Sequence, residues 1–171
     1  MTVRPIVVLP APVLAVPAAA VGGAPGEPVV PEVAEVCRDL VDTMRCSPHS
    51  VGVAAPQIGV GLRIFCVDVT GHRKARSCHG EVVLVDPEVV AVEGRDVGRE
   101  GCMSVPDLTG DVARATRVIV RGRTPDGAVV VLDCDAFEAR AVQHELDHLD
   151  GALFLDRLVS RDRIFPRKVY R

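Results

Sequence analysis

"FEARAVQHELDHLDG", residues 137–151, decides how this chain is read. Through "FEARAVQHELDHL" the pattern is that of a helix, and Gly151, which tolerates left-handed φ, suits its stop. Four residues on a helix rise about 6 Å and turn slightly past one circuit, so His144 and His148 project from one face and can share one ion. Glu145 lies about 100° round the helix from His144, close enough to act on a water beside that ion without ligating it. The plainer reading is a surface helix that merely contains His, Glu and Asp. A whole His-Glu-x-x-His on a well-supported helix outweighs it.

Two imidazoles do not complete a catalytic metal site, which needs a third protein ligand and a position left open. In metzincin proteases that ligand would be a histidine at 154, where this chain has Phe154. In thermolysin-like proteases it would be a glutamate further on, but no Glu or His follows His148. The third ligand is therefore upstream, among His49, His72, His79 and the cysteines at 37, 46, 66, 78, 102 and 134. Residues 70–80, "TGHRKARSCHG", read as a polar, mobile surface loop in preference to a second metal site around His72, Cys78 and His79. Cys37 belongs to an apolar helical stripe, and Cys66 and Cys134 to strand-like runs, where a thiol serves as a small buried hydrophobe. Cys102 differs. In "REGCMSVPDL", 99–108, it stands outside any apolar periodicity, where a thiolate can reach an ion.

Outward from these residues, residues 31–44 carry apolar side chains at Val33, Val36, Cys37, Leu40, Val41 and Met44, which predicts a first helix with Pro31 in its first turn. Strands are expected at 63–69, at 81–93 with an interruption at Pro87, at 116–122 and at 128–134. The last two form a hairpin across "RTPDG", whose Pro and Asp-Gly suit a tight turn. Helix, strands and helix without βαβ alternation predict an α+β fold: one domain over residues 1–171, with antiparallel strands packed around the C-terminal metal-binding helix.

At 171 residues and 48% hydrophobic composition such a domain buries a core without disulfides. The cysteines show no Cys-x-x-Cys spacing and read as reduced thiols, which predicts a cytoplasmic setting. A net charge of −3 and few aromatic residues argue against nucleic acid as a partner. Prolines 5, 10, 12 and 17 break the apolar N-terminal stretch that would otherwise imitate a secretory signal. No apolar run reaches transmembrane length, and no membrane partner is expected.

"HELDH" at 144–148, "EGCMS" at 100–104 and "GVAAPQ" at 52–57 together resemble the three motifs of the peptide deformylases, in that family's order. The resemblance extends to "RPIVVLPAPVL" near the N-terminus and to "RVIVRG" of the hairpin. It implies one divalent ion held by Cys102, His144 and His148, Fe²⁺ foremost, with Zn²⁺, Ni²⁺ or Co²⁺ as substitutes. It implies hydrolysis of the N-formyl group of N-formylmethionine on nascent, ribosome-associated polypeptides. Glu145 would be the general base and then acid, with the side-chain amide of Gln57 and the backbone N–H of Met103 as donors to the formyl oxygen. Val51, Gly52, Glu100 and Met103 would line the substrate, Glu100 also supporting the ligands.

The chain departs from the family pattern at Ser50, at Met103 and at Thr109, where an arginine is usual, and the N-terminal "APVLA" lacks the aspartate and arginine often found there. A threonine cannot hold a peptide carbonyl as an arginine does, so Thr109 predicts a raised KM for formyl-Met peptides. It also keeps open a specialised relative acting on a formylated small molecule. A metallopeptidase is the rival from another class, opposed by the lack of a downstream ligand. A structural metal-binding protein is opposed by Glu145 and Gln57, which such a site does not need.

Overall fold

A strand that is apolar at every position needs cover on both faces. Ile64, Phe65, Cys66 and Val67 form such a run, and all four are buried. The computed structural model describes residues 2–167; Met1 and residues 168–171, which the domain expected over 1–171 includes, lie outside the described residues. In chain order the elements are α1 (Pro31–Cys46), β1 (Gly52–Ala54), β2 (Ile64–Val67), β3 (Val82–Glu93), β4 (Asp96–Cys102), β5 (Val105–Arg114), β6 (Arg117–Arg123), β7 (Val129–Asp135), α2 (Ala136–Leu149) and β8 (Ile164–Pro166). Short 3-10 turns at Pro12–Leu14, Ala55–Ile58 and Phe154–Arg157 complete the described chain.

The strands form two antiparallel sheets, one ordered β1-β2-β3-β6-β7 and the other β4-β5-β8. The α+β class expected from the sequence is what the chain adopts. Alternation along β2 splits its side chains between two cores. Phe65 and Val67 pack with Leu84, Val118 and Val120 against Val142, Leu146 and Leu149 of α2. Ile64 and Cys66 pack with Val53 and Val85 against Val33, Cys37, Leu40 and Met44 of α1. The larger sheet thus lies between the two helices, and α2 is clamped where its functional face turns toward the smaller sheet.

The hairpin β6–β7 pairs from Arg117 with Asp135 to Arg123 with Val129, as its turn residues predict. The interruption expected at Pro87 falls within one continuous strand, β3. The register shifts between Val85 and Glu88 and Asp86 takes φ +49°, so the residue without an N–H falls where the ladder is already interrupted. Asp86 uses the kink to accept hydrogen bonds from the N–H of Val21 (2.8 Å) and Gly22 (3.0 Å).

The smaller sheet is absent from the sequence reading. β4 and β5 are rich in glycine and charge, so they lack the apolar alternation that marks a half-buried strand. That sheet carries Cys102.

Candidate active site

Helix α2 is buried over most of its length, Glu138, Glu145, Asp147 and His148 included. Charged groups remain inside a protein only when paired or held to a task, and each has an account here. His144 and His148 project from one face of α2, as their spacing requires, and meet Cys102 at the end of β4. Suitable donor atoms of the three lie within 4.8 Å of one another. Cys102 Sγ is 3.2 Å from His148 Nε2. His144 Nδ1 is 2.9 Å from Glu100 Oε2, a contact that fixes the ring and leaves its other nitrogen to face an ion.

Glu100, expected at the substrate surface and as a support, has both oxygens engaged. Arg114 donates to each at 3.0 Å, and Arg140 donates to Oε1 at 2.8 Å. Burial would raise the Glu100 pKa, but the hydrogen bonds with His144 and Arg114 outweigh it and hold it down to about 2. Arg114 also donates to Asp147, which Arg157 holds from the other side at 3.0 Å. Sequence reasoning missed Arg114, Arg140 and Asp147. Asp147 is visible only as a charge inside the helix motif, and nothing in sequence links it to Arg114 thirty-three positions away.

Gln57 lies in the 3-10 turn after β1. Its Oε1 accepts from the N–H of Ala54 at 3.0 Å, which sets the amide so that its NH₂ points to Cys102 Sγ and Ser104 Oγ, both at 3.3 Å. Gly52 is required by closeness. A Cβ there would stand 2.6 Å from Glu145 Oε1, so only glycine lets β1 lie against the glutamate.

Among the described residues, Glu145 Oε2 and His148 Nδ1 are the buried side-chain atoms that lack a hydrogen-bond partner. Burial raises Glu145 to about 7, so a carboxyl on this floor exchanges its proton near neutrality. The floor belongs to a cavity of about 430 Å³ lined in part by Val51, Gly52, Gln57, Met103, Thr109 and Arg167. All the expected site residues except His148 line it, and His148 stands behind Cys102. His49 also reaches its wall, while His72 stacks on Phe137.

A thiol and two imidazoles converge without another cation between them, and an unpartnered carboxylate adjoins them. That donor set fits one divalent ion with an open position, the arrangement of a metal-dependent hydrolase. The family model described as polypeptide deformylase matches residues 3–164. The chain is 40% identical to a peptide deformylase of Acidobacterium capsulatum over 98% of this chain and 94% of that one, and 41% identical to one of Acidothermus cellulolyticus over 100% and 87%. Its fold superposes on a peptide deformylase of Legionella pneumophila with a TM-score of 0.82 at 33% identity, covering 94% of this chain and 90% of that one. A class I type b peptide deformylase of Acinetobacter baumannii with Met-Ala-Ser bound gives 0.80 at 32% identity, covering 92% and 100%.

The chain belongs to the polypeptide deformylase family. The family is metal-dependent, and its reaction removes the formyl group from N-formylmethionine.

Proposed function

We propose that the chain deformylates N-formylmethionyl peptides with Cys102, His144 and His148 holding one Fe²⁺ ion, Glu145 moving the proton, and Gln57 and the Met103 N–H receiving the formyl oxygen. The unpartnered Glu145 carboxylate beside the Cys102, His144 and His148 cluster carries this reading. A bound ion supplies an acidified water and a polarised formyl carbonyl. Glu145 Oε2 takes a proton from water and delivers it to the departing nitrogen, so that formamide and water become formate and a free amine. A pKa near 7 suits both halves of that transfer. The Gln57 amide is held in advance by the Ala54 N–H, so no reorganisation is needed as charge grows on the formyl oxygen.

One thiolate and two imidazoles accept Fe²⁺, Zn²⁺, Ni²⁺ or Co²⁺. We assign Fe²⁺ on the family resemblance, and with it activity that decays in air and survives replacement by Ni²⁺. The substrates are the formylated starts of nascent chains at the ribosome, in the cytoplasm where such chains begin. The Met-Ala-Ser peptide bound by the Acinetobacter baumannii relative supports a peptide substrate.

Glu145→Gln tests the assignment. It keeps the side-chain volume and all three ligands, so one ion per chain should remain while kcat for formyl-Met-Ala falls by about 10² to 10⁴. Undiminished turnover in the metal-replete variant would falsify the role of Glu145.

A further inference from the structure

The stretch between β2 and β3 is fastened to the protein. The His72 ring stacks on Phe137 with centroids 3.6 Å apart, and the Ser77 N–H donates to Asp135 Oδ1 at 2.8 Å. The His79 N–H donates to Glu138 Oε1 at 2.8 Å, and His79 Nδ1 lies 3.0 Å from Glu138 Oε2. Glu138, in the first turn of α2, has a side chain only 2% exposed. Its ionic partner among the described residues is this imidazole, with no arginine or lysine beside it. On the same spot opens the buried thiol of Cys134 from β7, whose Sγ is 4.0 Å from His79 Nδ1. Asp133 and Asp135 flank that cysteine in sequence. Arg117 pairs with Asp133, whereas burial and then the Glu138 charge push the Cys134 thiol up to about 12.

We propose that His79 Nδ1, Cys134 Sγ and the Glu138 carboxylate form a second divalent-cation site, for Zn²⁺ or the chemically similar Cd²⁺, separate from the catalytic cluster. The three donor atoms come from three elements and lie within 4.8 Å of one another. Tetrahedral zinc at ordinary bond lengths sets such donors roughly 3.3 to 3.6 Å apart, and the His79 contacts of 3.0 and 4.0 Å bracket that range. A sulfur, nitrogen and oxygen set selects zinc over calcium or magnesium. Binding releases the Cys134 proton to solvent, and the His79 ring keeps its proton on Nε2. The fourth position faces solvent past His79, whose side chain is 33% exposed. The site is structural in consequence: it pins residues 70–81 to β7 and to the first turn of the helix that carries the catalytic residues.

Metal counting separates the sites. In a Cys46→Ser, Cys78→Ser background, which removes the exposed thiols, protein equilibrated with Cd²⁺ and freed of excess should hold two ions per chain. His79→Ala lies at the surface and should reduce the count to one while deformylation of formyl-Met-Ala by the iron-loaded protein is unchanged. Cys134→Ser should also reduce it to one and remove part of the ultraviolet cadmium–thiolate absorption. With the catalytic cluster already filled by iron, added Zn²⁺ should raise the melting temperature of the background protein and not of its His79→Ala derivative. A single ion in the background protein, or two ions in the His79→Ala derivative, overturns the proposal.

Discussion

Thr109 shows how far one residue can be read alone. By itself it leaves the cavity wall without the charge that an arginine would place there. The folded chain puts a guanidinium at that wall from the other end of the smaller sheet. Arg167 is tied by its N–H to the Asp107 carbonyl at 2.8 Å, and its Nη2 donates to the Cys102 carbonyl at 3.1 Å. A Cβ on Gly101 would stand 2.5 Å from that Nη2 and 3.2 Å from Thr109 Cγ2, which places Arg167 over Gly101 and beside Thr109. A charged hydrogen bond to peptide is worth about 1.5 to 3 kcal/mol, or roughly one to two powers of ten in affinity. Arg167→Ala should therefore raise KM for formyl-Met peptides by that factor. kcat should change little, because such a contact acts equally in ground and transition states. Thr109→Arg should lower KM substantially in the Arg167→Ala background and only slightly in the wild type. Equal gains in both backgrounds would show that Arg167 does not stand in for the missing arginine.

At the scale of elements, the two helices were legible because apolar periodicity extends over several turns in each. The hairpin was legible because its turn residues are specific. α1 runs two residues beyond the expected Met44, to Cys46. β4 and β5 were illegible, since strands that owe their place to pairing with each other, to Phe154 and to the site need no apolar stripe of their own. The stop of α2 tests how local signals and packing combine. Gly151 has φ +72°, and a Cβ there would meet the Val16 backbone at 2.6 Å and 2.9 Å. Left-handed backbone alone disfavours alanine by about 1 kcal/mol. Gly151→Ala should then lose more than about 1 kcal/mol of unfolding free energy by urea denaturation, because the N-terminal segment must also move. A loss well below that value would mean that the segment yields freely.

Across the whole molecule, the site depends on ionic groups that tie the smaller sheet to α2. Arg114, at the end of β5 and 5% exposed, bridges Glu100 on β4 and Asp147 on α2. Through Glu100 the bridge reaches the His144 ring. Removing one member of a buried ionic network strands its partners and typically costs about 3 to 5 kcal/mol. Arg114→Ala should destabilise the fold by that amount, and its remaining folded fraction should bind metal less tightly because Glu100 no longer orients His144. Loss of metal affinity in folded protein without loss of stability would separate the two functions of this arginine. A change in neither would remove it from both.

What the sequence by itself determined is local. The His-Glu-x-x-His spacing places two imidazoles and a carboxylate on one helical turn, because helix geometry is the same in any fold. The elimination of downstream ligands and the three motifs pointed to Cys102 for the third. Only the tertiary structure decided which distant charges meet. Arg114 with Asp147, Arg167 beside Thr109, and His79 with Cys134 and Glu138 are each assembled from segments far apart in the chain. No periodicity or spacing records such meetings, because they follow from how the sheets and α2 pack. Cys134 is the plainest case. Its sequence marks it as a small buried hydrophobe, and burial it has, but the fold also sets an imidazole and a carboxylate at its sulfur.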